Sequence, residues 1–194
     1  MKAKWKLFFP CYFAFFVNGA RVLLVGAILP YLIEEAGISY SVAGGLLSAF
    51  AIGNLLASFV NPPLAGKIGR KATIVSMSAL IPLMWLIITW IPPVPVLYAA
   101  FVLLGIGRGS VSIINNAVVN DNSDGKPAAV ILLHMTFAVG AFLSPFLTSL
   151  YIGAGMGWRA VAYTVVTGSA LACLFYALME LDYNWPKESK KAQK

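Results

Sequence analysis

The chain has 194 residues, 60% of them hydrophobic and only 11% charged, with a formal net charge of +7. A soluble domain of this length must wet its exterior and has no use for so much apolar surface. The basic excess flanks apolar stretches instead of forming one patch, which argues against nucleic acid as a partner.

Charge-free intervals define the elements. Leu7 to Ile33 carries only Arg21, Ala36 to Gly66 and Ala72 to Gly107 carry no charge, Pro127 to Trp158 carries one histidine, and Ala160 to Met179 carries none. Each interval reaches the roughly 20 residues that cross a bilayer as a helix. The pattern predicts six transmembrane helices at 7–33, 41–65, 72–92, 95–119, 127–152 and 158–180, separated by clusters of Gly, Pro, Asn and Asp. The fold class is therefore all-α membrane protein, a single domain whose halves are 7–92 and 95–180, followed by a basic tail over 181–194.

Helix 1 is too long for a signal-peptide core and reads as a mature span. It carries Asn18 and Arg21 one turn apart near its middle. An arginine at the bilayer centre costs about 2.5–3.5 kcal/mol on insertion scales, so its presence points to a polar pathway. Helix 2 carries Asn54, Ser58 and Asn61 along one stripe, a pattern equally suited to hydrogen-bonded helix packing. The 2–3 connection holds Lys67, Gly69, Arg70 and Lys71. Helix 4 has a second central arginine, Arg108, with Ser112 and Asn115 at i+4 and i+7 and Asn116 beside them. Gly105, Gly107 and Gly109 suit close helix approach, and with no strand before them they do not form a phosphate loop. Helix 5 carries His134, a candidate proton carrier because imidazole titrates near neutrality or a packing residue at a helix end. Cys11 and Cys173 fall inside helices as small hydrophobes.

All seven acids, Glu34, Glu35, Asp121, Asp124, Glu180, Asp182 and Glu188, lie in loops or at helix ends. No carboxylate therefore stands at the depth of the two arginines, and a proton relay has to come from His134 or from another chain segment, or be absent. No nucleophile–base pair and no metal-ligand cluster is present, so an enzyme, a cofactor and a metal site are not expected. With the N-terminus inside, eleven Lys and Arg fall on the cytoplasmic side and only Arg159 outside, which predicts a multi-pass inner-membrane protein with both termini cytoplasmic.

An internal repeat appears at an offset of 87 residues: Leu46–Gly66 laid on Leu133–Gly153 gives seven identities in twenty-one positions. The same offset lays Arg21 on Arg108. Helices 1 and 4 run in opposite directions, so the two three-helix units form an inverted repeat of the kind from which many secondary transporters are built.

Four motifs carry a family resemblance. Gly66-Lys67-Ile68-Gly69-Arg70-Lys71 resembles the tail of the 2–3 signature loop of the major facilitator superfamily, although Pro62 and Gly66 stand where a glycine and an aspartate are usual. Gly105-Ile106-Gly107-Arg108-Gly109 resembles the arginine motif of the fourth helix, and Gly157-Trp158-Arg159 the start of the sixth. The stretch Leu132–Phe142, with Pro145 beyond it, is similar to helix 5 of the fucose-permease and sodium-glucose branch. The resemblance implies half of a twelve-helix carrier, with helices 1 and 4 lining a central cavity and Lys67, Gly69, Arg70 and Lys71 forming a gating loop. Asn18, Arg21, Arg108, Ser112, Asn115 and Asn116 are then the candidate substrate-binding residues. The expected activity is secondary active transport of a small polar solute. The branch resemblance implies a sugar, and the paired arginines suit an organic anion. Expected partners are the bilayer, the small-molecule substrate and a second six-helix half, either another copy or a separate C-terminal half. The competing reading is a non-transporting fragment or membrane interaction subunit.

Overall fold

A computed structural model describes residues 2–181, with side chains from Trp5 onward. Apart from Leu181, the expected basic tail lies outside the described residues. Six helices are present, α1 (Lys2–Ala36), α2 (Tyr40–Ile68), α3 (Arg70–Thr89), α4 (Val94–Asp121), α5 (Pro127–Gly153) and α6 (Gly157–Leu178), and the described residues contain no strand. All six are long and apolar enough to cross a membrane. The chain is a multi-pass membrane protein.

Local chemistry sets the helix ends. Gly37 takes a left-handed φ of 61° to end α1, and the Ser39 hydroxyl then accepts from the Val42 amide at 3.2 Å to start α2. Pro95 and Pro127 stand in the first turns of α4 and α5, where the missing N–H costs nothing. The expected 2–3 loop shrinks to one residue. Lys67 and Ile68 continue α2, Arg70 opens α3, and only Gly69, at φ 85°, breaks the chain. Lys and Arg are good helix formers, so a basic run in a connection does not itself unwind a helix.

The helices form two layers. In front, α2, α4, α1 and α5 stand side by side, and behind them α3 and α6 pack on each other and on α4 and α1. The largest interfaces, α1 with α5 and α2 with α4, both join one three-helix unit to the other. These interfaces are where the pseudo-symmetry becomes measurable. A Cβ on Gly53 would collide with the Val102 carbonyl, and one on Gly105 with the Phe50 carbonyl. Across the repeat, a Cβ on Gly140 would strike the Phe16 carbonyl, and one on Gly19 the Phe137 carbonyl. Small residues thus let the backbones touch, as in other membrane helix pairs.

The equivalences are informative. Gly53 and Gly140, like Phe50 and Phe137, are 87 residues apart, whereas Gly19 and Gly105, like Phe16 and Val102, are 86 apart. The offset of 87 therefore holds for α2 and α5 but is one too many for α1 and α4. Arg21 is the counterpart of Gly107, and Arg108 that of Val22. One residue is about 100° of helix, so the two arginines leave their helices in different directions.

Candidate functional site

The six candidate binding residues divide between two places. Arg108, Ser112 and Asn116 lie at i, i+4 and i+8 on a partly exposed face of α4. Arg108 sits halfway along its helix, and its Nη1 donates to Asn54 Oδ1 of α2 at 2.9 Å with the Phe50 ring 6.0 Å from its guanidinium carbon. Asn116 Nδ2 donates back to the Ser112 carbonyl at 2.8 Å, and its Oδ1 lies 3.1 Å from His134 Nε2 on α5. The edge of the Phe15 ring, centroid to centroid 5.8 Å, holds the imidazole from behind. Asn54, Arg108, Ser112, Asn116 and His134 thus make one polar strip across α2, α4 and α5.

Asn18, Arg21 and Asn115 are inside the bundle. Asn18 and Asn115 are fully buried and Arg21 is 3% exposed, so none of them opens on the strip. Arg21 Nη2 donates to Asn18 Oδ1 at 2.5 Å. Asn115 Nδ2 donates to the Tyr176 hydroxyl at 2.7 Å and to the Cys11 carbonyl at 3.3 Å, joining α4 to α6 and α1. The one-residue register difference accounts for this. Gly107 faces Met77 and Ile81 of α3, and its counterpart Arg21 correspondingly faces the seam where α3 and α6 meet.

At the Gly69 end, Arg70 Nη1 reaches Asp121 Oδ2 at 2.8 Å, an ion pair between the start of α3 and the end of α4 with both side chains mostly shielded. Gly66, where the family aspartate is usual, has open space around its Cβ position. A cavity of about 270 Å³ lies beside it, lined by Asn61, Pro62, Ala65, Arg70, Ile113 and Ala117 among others. At the opposite end Glu35 accepts from Trp158 Nε1 at 2.9 Å and from Arg159 Nη1 at 2.6 Å, while Arg159 Nε donates to the Thr89 carbonyl at 3.0 Å. Glu35 thereby ties the end of α1 to the start of α6, and Arg159 ties α6 to the end of α3.

Asn54, Glu35 and Tyr176 acquire roles here that the sequence reading did not assign them. The spacing of Asn54, Ser58 and Asn61 suited a polar stripe and helix packing equally, and no local pattern connects a tyrosine on α6 to an asparagine on α4. Among the described residues no group of three metal-ligating side chains converges.

The Major Facilitator Superfamily model matches residues 11–194. The chain belongs to the Major Facilitator Superfamily. Its six helices are consistent with half of the superfamily's fold. Relatives include the 4-hydroxybenzoate transporter PcaK of Pseudomonas aeruginosa, 25% identical over 164 residues that make up 81% of this chain and 36% of that protein. The PcaK proteins of Pseudomonas putida and Acinetobacter baylyi are each 32% identical, over 72 and 78 residues. These segments cover 37% and 40% of this chain and only 16% and 17% of those relatives. The chain thus spans little more than a third of the first relative's length. Superfamily members are carriers, not enzymes. The resemblance of helix 5 to the fucose-permease and sodium-glucose branch is not supported by these relatives, and neither is a sugar substrate.

Proposed function

We propose that this chain is one half of an alternating-access carrier for a small organic anion, with an aromatic carboxylate as the best-fitting class. The observation that carries this reading is Arg108, a partly exposed guanidinium at mid-helix with no carboxylate on α4 before its last residue, Asp121. Such a cation favours a negatively charged solute and selects against cations. Asn54 orients it, Phe50 offers a ring face, and Ser112, Asn116 and His134 extend the strip with groups that can bond a second polar substituent. The PcaK relatives, which carry the name of a hydroxylated aromatic acid, favour the same class. His134, hydrogen-bonded to Asn116, is the strip's candidate for proton coupling.

A second six-helix half, another copy or a separate segment, would face the strip and complete the binding site. Arg70–Asp121 would then act as a lock at one mouth, the cytoplasmic one if both termini lie inside as the lysine distribution argues. The experiment is uptake of radiolabelled 4-hydroxybenzoate into proteoliposomes. Arg108→Ala is expected to lower uptake about tenfold or more, the worth of a hydrogen bond to a charged group, and Arg108→Lys to recover part of it. Equal uptake by wild type and Arg108→Ala overturns the binding role. A well-folded wild-type chain that neither moves nor binds the substrate favours the interaction-subunit reading.

A further inference from the structure

The interior arginine raises a question of charge. Arg21 is 3% exposed, and none of the acids in the described residues lies in the middle of a span. A guanidinium cannot relieve its burial by losing a proton, and an uncompensated buried charge is among the costliest arrangements in a protein. Its only charged-group partner would have to come from elsewhere. Asn18 Oδ1 satisfies one of its five donors, and Nε–H is buried with no acceptor.

Beside Arg21 lies a cavity of about 10 Å³, a size that admits one water-sized sphere. Its polar lining comes from Arg21, Ser78, Ser169 and Tyr176. Each group's remaining capacity is decisive. Ser169 Oγ is buried and unpartnered. Tyr176 accepts from Asn115, so its own O–H proton is uncommitted. Ser78 spends its proton on the Val75 carbonyl at 3.1 Å. Arg21 Nε–H, Ser169 O–H and Tyr176 O–H are therefore three spare donors, from α1 and α6, around a single small space that no carboxylate borders. Water could also take up these donors and give its own protons to the lone pairs of the Ser78 and Ser169 hydroxyls, but it would leave the guanidinium charge uncompensated. A monatomic anion only accepts, and it also neutralises the guanidinium.

We infer that this chamber binds one halide ion, chloride being the ordinary case, held by Arg21 with Ser169 and Tyr176. The role is structural: the ion supplies inside the bundle the negative charge that the middles of the spans lack. It is independent of the polar strip, which lies on another face of the front layer.

Thermal unfolding of the full chain in detergent tests this without any flux measurement, in sodium chloride, bromide, gluconate and sulfate at equal ionic strength. The midpoint is expected to rise by about 4 °C at chloride tenfold above its binding midpoint. Bromide should reproduce the shift, and gluconate and sulfate, too large for the space, should not. Arg21→Met should flatten the response, and Ser169→Ala should move the chloride midpoint up about tenfold. Identical unfolding in all four salts, the result for a chamber that holds only water, overturns the inference. So does a full chloride response in Arg21→Met. If Arg21→Met does not fold, an unchanged chloride midpoint in Ser169→Ala overturns it.

Discussion

Placing alanine at the four contact glycines tests the helix register directly. At Gly140 a Cβ would lie 2.9 Å from the Phe16 carbonyl carbon and 3.0 Å from the Ala20 nitrogen, besides striking the Phe16 oxygen. Ordinary contact begins at about 3.5 Å, so clearing the Phe16 oxygen as well requires α1 and α5 to separate by more than about one ångström. Both obstacles are backbone and cannot rotate away. Overpacking of this kind costs about 1–3 kcal/mol, and for a chain of this size each kcal/mol moves the unfolding midpoint by about 2–4 °C. We expect Gly19→Ala, Gly53→Ala, Gly105→Ala and Gly140→Ala each to lower it by about 6 °C. The internal control is sharp. Gly26 and Gly44 have nothing within 4 Å of the Cβ position, and Gly168 meets only the Val17 methyls at 3.5 Å. Alanine there should be neutral or raise the midpoint, since it is the better helix former by about 1 kcal/mol. Tryptophan-fluorescence melting in detergent separates the two groups. Seven indistinguishable variants, or stabilisation by any of the first four, would refute both the contacts and the 86-residue register derived from them.

Asn115→Ala removes the donor that Tyr176 and the Cys11 carbonyl share in the interior, and should cost about 1–3 kcal/mol by leaving those groups unpaired. The measurement is denaturant or thermal melting, with the conservative Asn115→Gln as comparison. For the Arg70–Asp121 pair, Arg70→Asp and Asp121→Arg should each lower the midpoint and the double exchange restore most of it, and failure of the double variant to recover would count against the pair. The Glu35 cluster should behave as a unit. Glu35→Gln, Arg159→Gln and the double variant should destabilise by small and nearly equal amounts, whereas additive losses would show that the bond between them contributes little.

Much of this architecture is legible in the sequence because crossing a bilayer is a local property. The interval from Ala72 to Gly107 has no charge, and Pro92-Pro93-Val94-Pro95 divides it, so α3 and α4 can be placed from composition alone. The inverted repeat is legible too, since Phe50-Ala51-Ile52-Gly53 and Phe137-Ala138-Val139-Gly140 occupy matching contacts. What periodicity does not carry is the direction in which a helix is turned toward its neighbours. Arg21 and Arg108 match at an offset of 87 by coincidence of residue type, while their helices are related by 86. Gly19 and Gly105 held the correct spacing, but a glycine announces close approach without saying to which partner. Likewise Arg108, Ser112 and Asn115 form a stripe by spacing, yet Asn115 turns into the bundle and Asn116 joins the outer face. Measured from Ser112 in the middle of the strip, Asn116 lies about 40° round the helix on one side and Asn115 about 60° on the other, and where a helix meets neighbours on several sides such angles decide which of them a side chain reaches.

The two largest interfaces, α1 with α5 and α2 with α4, both run between the three-helix units and not within them. This has a consequence for how the chain is made. Helices leave the translation machinery in order, so α2 enters the bilayer before its main partner α4 exists, and α1 waits for α5. Neither unit can settle alone, and Arg21 stays unsheltered until α6 closes behind it. The seam between the two three-helix units thus forms only once α4, α5 and α6 have entered the bilayer, and a chain stopped after α3 should be held by chaperones or degraded.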